Sequence, residues 1–237
     1  MNKILWLLWV CLCLSWPSQA EPIHIVGVEL PGLLDRDGGG PYNKLFTAIV
    51  QDSQLALILD VKPLARAFHE YNGGQYRGLF PATTSIVEID TLESLPFNRV
   101  QALVFTRPGT PAVASLAELN GLVVGKVRGF TYPKAINEAA VQAVLVKNEE
   151  QNIKMLMAHR LDAFFGLVPD VYLSLEKLGG GVQLSVDKSI DYMNIHDSFL
   201  LLPSVENERM MIKLNNSIKK LSLNGTIKKI LGSALVE

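Results

Sequence analysis

The chain has 237 residues, of which 49% are hydrophobic, and its 22 Lys and Arg nearly balance its 23 Asp and Glu. This composition excludes an intrinsically disordered chain, and the length is enough for one large or two small domains with a sizeable core. The near-neutral charge, without a Lys/Arg-rich run, argues against a nucleic-acid partner, because such binding neutralises phosphates with clustered cations.

The N-terminus has the pattern of a secretory signal peptide. Lys3 precedes an apolar run over residues 4–14, and Ala20 ends a segment with small residues at the −3 and −1 positions. The run is far shorter than the ~20 apolar residues that a membrane-spanning helix needs. We therefore expect residues 1–20 to be removed by cleavage after Ala20 and the mature chain to lie in the periplasm. Both cysteines fall within the removed segment, which fits export to an oxidising compartment.

Strands and helices alternate in the first part of the mature chain. Apolar residues predict a strand over 23–28, and the Gly-rich segment 31–40 that follows is either a turn or a ligand-facing rim. A helix is predicted to begin at Pro41 and to run to about residue 52, because proline suits the first helical position and the apolar residues share one face. A strand over 55–61 and a helix over 63–71 complete a β-α-β-α order.

The same alternation continues after a strand predicted over 99–106. Pro108 to Pro111 is the strongest internal turn signal, and we place a domain crossover there. Ser115 and Glu118 have the spacing of a capping box at the start of a short helix. The further predicted elements are a strand over 122–127, a helix from about Tyr132, a strand over 143–146, a helix around 153–157, strands over 161–165 and 199–202, and helices over 205–221 and 226–231.

Four segments, taken in order, carry a family resemblance. Residues 115–133 read SLAELNGLVVGKVRGFTYP, residues 152–166 read NIKMLMAHRLDAFFG, residues 214–231 read LNNSIKKLSLNGTIKKIL, and GGPYNKLFTAIV at 39–50 is joined by PLARAF at 63–68. Together they resemble the bacterial extracellular solute-binding proteins of family 3, the type II periplasmic binding proteins known for capturing amino acids. The resemblance rests on the order and spacing of the segments, which span nearly the whole mature chain.

This resemblance implies an α/β fold with two lobes, each a central sheet flanked by helices, joined by two hinge strands. Lobe 1 would be discontinuous, with residues 21–106 and 199–237, and lobe 2 would hold residues 107–198. A ligand would bind in the cleft between the lobes, which would close on it by hinge bending.

The loop over residues 128–132 is the first candidate for ligand contact. It lies between a predicted buried strand and a helix, so the backbone N–H groups around Gly129 and the helix dipole would suit an anion. Arg128 would add a bidentate contact to a carboxylate, Thr131 a hydroxyl and Tyr132 an aromatic wall. The competing interpretation makes Arg128 a surface residue and Thr131 a helix cap.

Three further residues are candidates from lobe 1. Arg66 lies off the apolar face of its helix and resembles an arginine that relatives present toward the cleft, or it is a solvated helix charge. Tyr42 follows the Gly-rich loop and would either stack on a ligand or pack at the start of a helix. Phe80 ends a short strand and would either wall the cleft or belong to the core.

The chain departs from the amino-acid-binding pattern at two places. Residues 82–96, where relatives carry an arginine for the α-carboxylate, contain no Lys or Arg, and Leu167 stands where relatives place the aspartate that holds the α-ammonium. Asp170 comes three residues later. A buried charge without its partner costs several kcal/mol. We therefore expect an ordinary amino acid to bind poorly unless other groups replace the missing arginine and aspartate. Alternatively, the ligand is of another kind, or the protein is a relative without a transport role.

No catalytic or metal-binding motif stands out. The four histidines are scattered, no Gly-x-Ser-x-Gly turn occurs, and the glycine run at 38–40 lacks the spacing of a phosphate-binding loop. His196, Asp197 and Ser198 are adjacent in a predicted strand, where neighbouring side chains point to opposite faces, so we interpret them as hinge structure and not as a catalytic triad. We therefore expect no cofactor, no metal and no catalytic residue.

The sequence thus predicts a monomeric periplasmic solute-binding protein that captures a small, polar, anion-bearing ligand and delivers it to an ABC permease. One alternative is an orphan periplasmic sensor or binding module that acts on a membrane signalling protein. The other is an enzyme on the same two-lobe scaffold, which we rank below both.

Overall fold

A computed structural model describes residues 21–84, 87–128, 130, 132–192 and 195–235. The predicted signal peptide, Gly129 and Thr131 lie outside these residues. The strands are β1 (Ile23–Val28), β2 (Leu57–Lys62), β3 (Gly78–Ala82), β4 (Leu92–Glu93), β5 (Asn98–Thr106), β6 (Val123–Val127), β7 (Gln142–Val146), β8 (Ala163–Val168), β9 (Ser185–Val186) and β10 (Ile195–Leu201). The α-helices are α1 (Pro41–Ser53), α2 (Leu64–Asn72), α3 (Lys134–Asn137), α4 (Glu149–Met157), α5 (Asp170–Lys177), α6 (Val205–Leu223) and α7 (Thr226–Leu231). Two short 3-10 helices lie at Leu116–Leu119 and Gly232–Ala234.

Local sequence signals account for the helix ends. Pro41 is the first residue of α1, and Gln54 ends that helix in the left-handed conformation with a φ of 53°. The side chains of Asn148 and Ser204 cap α4 and α6 by accepting hydrogen bonds from backbone N–H groups three residues later. These caps satisfy donors that would otherwise be unpaired at the start of each helix.

The strands form one continuous sheet path in the order β2-β1-β3-β10-β5-β8-β6-β7. β1 is parallel to β2 and β3, and β6 is parallel to β7 and β8, so each end of the path is a parallel unit with crossover helices. β5 and β10 lie antiparallel to each other in the middle. The architecture is therefore α/β, with a curled central sheet flanked by helices.

β5 and β10 connect the two parallel units. The start of β5 pairs with β10, whereas residues 101–106 pair with β8. β10 in turn pairs with β5 through residues 195–197 and with β3 through Ser198, Leu200 and Leu201. Each of these crossing strands thus contributes backbone hydrogen bonds to both units.

Apolar side chains form separate cores in the two units. One pair of clusters is built from residues between 25 and 97 and between 199 and 234, and the other pair from residues between 102 and 171. Leu173 of α5 packs partly against the first unit, and α5 also contacts the 3-10 helix Gly232–Ala234. The predicted lobe boundaries stay a prediction, but the cores lie on either side of the crossing strands.

Two local expectations differ from the structure. The helix expected from about Tyr132 is only the single turn α3, and it begins after Pro133. The eight-residue helix α5 has no counterpart among the predicted elements. No helix among the described residues combines the length and apolar character that a membrane span requires.

Candidate functional site

A cavity of about 180 Å³ lies between the two units, beside the crossing strands. Its walls are mainly apolar. Leu64, Phe68 and Pro81 line it from the first unit, and Phe130 and Leu167 line it from the second. An apolar cavity of about 150 Å³ holds one benzene molecule, so this cavity has the size for one small ring or short chain. Concave, mainly apolar cavities with a few polar groups are typical of small-molecule sites.

Asp197 of β10 is the first of two carboxyl groups that line the cavity. It is 9% exposed, and its Oδ2 accepts a hydrogen bond from the hydroxyl of Tyr42, which is fully buried. The Tyr42 hydroxyl in turn accepts a hydrogen bond of 2.7 Å from Asn98 Nδ2. Burial raises the pKa of Asp197 to about 6, although the hydrogen bond from Tyr42 opposes the rise.

Asp170 is the second carboxyl group, and it stands at the first position of α5 directly after Pro169. Burial and, next, the charge of Asp197 raise the pKa of Asp170 to about 7. A hydrogen bond from its own amide and the charge of Lys177 oppose this rise. The two carboxyl groups thus line the same mainly apolar cavity, where the negative charge of Asp197 disfavours ionisation of Asp170.

Glu149 does not line the cavity but accepts a hydrogen bond from the backbone of a lining residue. It is the first residue of α4 and is 3% exposed. Its Oε1 accepts a hydrogen bond of 3.2 Å from the backbone N–H of Leu167, which lines the cavity, and its Oε2 accepts one of 2.8 Å from Asn152 Nδ2. Burial raises the pKa of Glu149 to about 8, and the charge of Asp170 adds to this rise. Glu149 therefore positions the backbone of the cavity wall and adds a third acid nearby.

The aromatic residues predicted to contact ligand lie in the core. The Phe80 side chain is fully buried, with its ring centroid 4.6 Å from that of Phe199 and 5.2 Å from that of Phe97. Phe80 does not line the cavity, whereas the neighbouring Pro81 does, so the structure places Phe80 in the core, which is the second of the two roles considered for it. Tyr42 is likewise packed inside and reaches the site only through Asp197.

Arg66 forms an ion pair with Glu70 on its own helix. Its Nε lies 2.5 Å from Glu70 Oε1, an i,i+4 ion pair on α2. The Arg66 side chain is 63% exposed, so it points to solvent and not into the cleft. Arg66 does not line the cavity, although Leu64 and Phe68 of the same helix do.

The loop over residues 128–132 does not form the predicted cationic site with its described residues. Arg128 is exposed and is not a lining residue, while Phe130 lines the cavity. Tyr132 is 6% exposed, and its hydroxyl accepts a hydrogen bond of 2.9 Å from the backbone N–H of Val127, so it packs in the core of the second unit. Gly129 and Thr131 lie outside the described residues, so their predicted contacts stay predictions.

The charge of the site is therefore opposite to the one expected. Within the described part of the chain, no Lys or Arg lines the cavity, and its charged lining groups are Asp170 and Asp197. The sequence pointed to neither as a ligand contact. The available signals were an acid within the predicted hinge strand β10 and the aspartate that directly follows Pro169.

A metal centre is not evident in the described residues, which contain no group of three or more His, Cys, Asp or Glu side chains placed to share an ion. The two lining carboxyl groups stand among apolar walls. Divalent cations such as Ca²⁺ prefer six or more oxygen ligands, so this cavity offers too few.

Solved structures with the same fold share low sequence identity with this chain. The ligand-binding core of GluR0 in complex with L-glutamate aligns with a TM-score of 0.71 at 16% identity, over 92% of this chain and 100% of that one. The GluR0 core of Nostoc punctiforme with L-glutamate aligns with a TM-score of 0.68 at 19% identity, over 89% and 97%. A periplasmic binding protein of Salmonella typhimurium with high arginine specificity aligns with a TM-score of 0.63 at 18% identity, over 90% and 98%.

These likenesses show the type II periplasmic binding protein fold, which confirms the predicted fold class. No family model matches the chain, and no curated protein matches it either. The fold places the cavity described above between the two α/β units, at the position where the crossing strands join them.

Proposed function

We propose that this chain is a periplasmic solute-binding protein that captures one small molecule in the cavity between its two units. The observation that carries the proposal is the cavity itself: residues of both units and of the strands that join them line it. A ligand that touches both units stabilises their approach, which is how hinge-closing binding proteins hold their ligands. The lobes would be residues 21–106 with 199–237, and residues 107–198.

The comparisons support binding over catalysis. The neighbouring structures are described by the ligands they hold, L-glutamate in two cases, and by arginine specificity in the third. Among the described residues, the polar side chains that line the cavity are Asp170, Asp197 and Thr83, and the other lining side chains are apolar. Because no cation lines the described cavity, the anion-bearing ligand expected from the sequence is a poor fit: a carboxylate would meet two acids.

A thermal-shift screen of the exported protein tests the proposal. Amino acids, dicarboxylates, small peptides, amines and sugars are each supplied at millimolar concentration. A ligand at 100 times its Kd adds ~2.7 kcal/mol to the free energy of unfolding, which corresponds to roughly 5–10 °C for a chain of this size. No shift with any class of compound would overturn the proposal.

A matched pair of variants locates the binding. Thr83 lines the cavity, whereas the next residue, Thr84, is exposed and does not line it. Thr83→Trp should abolish the shift by filling the cavity, and Thr84→Trp should preserve it. An equal shift in both variants would place the ligand elsewhere and contradict the proposed site.

Delivery to an ABC importer is the second part of the proposal. Deletion of the gene should abolish uptake of the compound found in the screen. Intact uptake, combined with loss of a cellular response to that compound, would instead favour the sensor that acts on a membrane signalling protein.

A further inference from the structure

Two acids face an apolar cavity without a lining cation among the described residues to balance them. Asp197 accepts through Oδ2 from Tyr42, but no described residue donates to its Oδ1. Asp170 receives a hydrogen bond from its own amide, and no other described residue donates to its carboxyl group. Asp197 is buried and Asp170 is half-buried, and carboxylates withdrawn from water are usually paired or fully hydrogen-bonded, because desolvation without compensation is costly. These two therefore have unused acceptor capacity at the surface of the cavity.

We infer that the ligand is a small primary amine with an apolar body and without a carboxylate, whose ammonium group lies between Asp170 and Asp197. This inference rests on the proposed function. The ammonium group has three donors and one positive charge, which match the free acceptors and the repulsion between the two acids. Its hydrocarbon part would lie against Leu64, Phe68 and Leu167.

The electrostatics of the cavity favour a cation. Burial and the charge of Asp197 hold the pKa of Asp170 above the usual range, and burial does the same for Asp197, so a positive charge nearby would favour ionisation of both groups. A bound ammonium group favours the ionised form of both. Lys177, whose charge lowers the pKa of Asp170, is exposed at the other end of α5 and does not line the cavity.

The same features select against other ligand classes. A free carboxylate would add a third negative charge beside two acids, and no Lys or Arg lines the described cavity to receive it. A zwitterionic amino acid would place its ammonium group favourably beside the two acids, but the same acids would repel its carboxylate. Sugars require many polar partners, whereas the walls offer mainly apolar side chains. Specificity would thus come from both attraction and repulsion.

The size of the cavity limits the apolar body. A volume of about 180 Å³ is slightly larger than the ~150 Å³ that holds benzene. Benzylamine, cyclohexylamine and butylamine are therefore suitable probes, and benzyl alcohol and benzoate are a neutral and an anionic counterpart of the first.

Calorimetric titration of the exported protein with these five compounds tests the inference. At least one amine should bind, and benzylamine should bind more tightly than benzyl alcohol or benzoate. Asp170→Asn and Asp197→Asn should each weaken amine binding by about 10- to 100-fold, because each removes a charged hydrogen-bond acceptor. Neither variant should weaken binding of benzyl alcohol. Asp90→Asn, at an exposed position outside the cavity, is the matched control and should leave amine binding unchanged.

Failure of the inference differs from failure of the proposed function. If benzoate, an amino acid or a sugar binds and Thr83→Trp abolishes that binding while no amine binds, the amine inference is overturned and the solute-binding function stands. If amines bind but both Asn variants keep the affinity, the role of the two acids is overturned. If no compound of any class binds, the proposed function fails, and the inference fails with it.

Discussion

Replacing Asp170 by Asn should make the stability of the protein less sensitive to a rise in pH. The ordinary pKa of this carboxyl group is 3.8, and burial together with Asp197 raises it to about 7 in the folded protein. Between these values the unfolded chain is ionised at this position while the folded protein holds the proton. The penalty is therefore absent below pH 3.8, grows as the pH rises, and is complete above about pH 7.

The size of the effect follows from the interval between pH 5 and pH 8. Each pKa unit corresponds to ~1.36 kcal/mol, and about two units of the interval lie below the folded pKa, so the wild type should lose on the order of 2–3 kcal/mol through Asp170. The asparagine side chain of the variant does not titrate. The variant should therefore gain roughly 5–10 °C in melting temperature relative to wild type between pH 5 and pH 8.

Urea unfolding and calorimetric melting of both proteins at pH 5, 6, 7 and 8 measure this difference. Glu149 and Asp197 also have raised pKa values, but they remain in both proteins, so the comparison cancels most of their contribution. Asp90→Asn serves as the exposed control and should show no gain. An Asp170→Asn difference that is the same at pH 5 and pH 8 would refute the assignment of a half-buried carboxyl group whose ionisation is disfavoured in the folded protein.

Three other substitutions test the packing around the cavity. Gly40→Ala should destabilise the protein by about 1–3 kcal/mol in urea unfolding, because a Cβ would stand 2.1 Å from the carbonyl oxygen of Leu33; wild-type stability would contradict this close approach. Phe80→Ala should lower the free energy of unfolding in guanidinium by about 3–5 kcal/mol, since the ring is fully buried. A loss below about 1 kcal/mol would contradict the core position and favour a position of Phe80 on the cavity wall. Tyr42→Phe should lower the free energy of unfolding by about 1–3 kcal/mol at pH 8, because Asp197 loses its hydrogen-bond donor. The loss should be smaller at pH 5. An equal loss at both pH values would show that the charge of Asp197 is not involved.

The order of strands and helices was accessible from the sequence because the signals are local. The helix predicted over 226–231 is α7 at the same residues, and Pro41 begins α1 as expected. The strand predicted over 161–165 lies at Ala163–Val168, where the apolar run continues across a largely buried strand and leaves its ends undefined. Periodicity, proline positions and capping residues depend only on neighbours in the chain.

The candidate site was much less accessible. Tyr42 and Asp197 are 155 residues apart in the chain, and their hydrogen bond exists only because β10 lies beside the first unit of the sheet. The loop at 128–132 has the residue types of an anion site, yet Arg128 is exposed and Tyr132 is buried. Residue type alone does not reveal which side of a strand or loop faces the cavity.

The sequence by itself therefore determined the α/β alternation and the fold class, and it showed that the usual residues for an amino acid zwitterion were missing. Only the tertiary structure decided what replaced them: β10 and the start of α5 bring Asp197 and Asp170 to one apolar cavity. The physical reason is that the periodicity of apolar residues along the chain shows which face of a helix or strand is buried. The sign of the charge in a cavity, by contrast, depends on which distant segments of the chain line it.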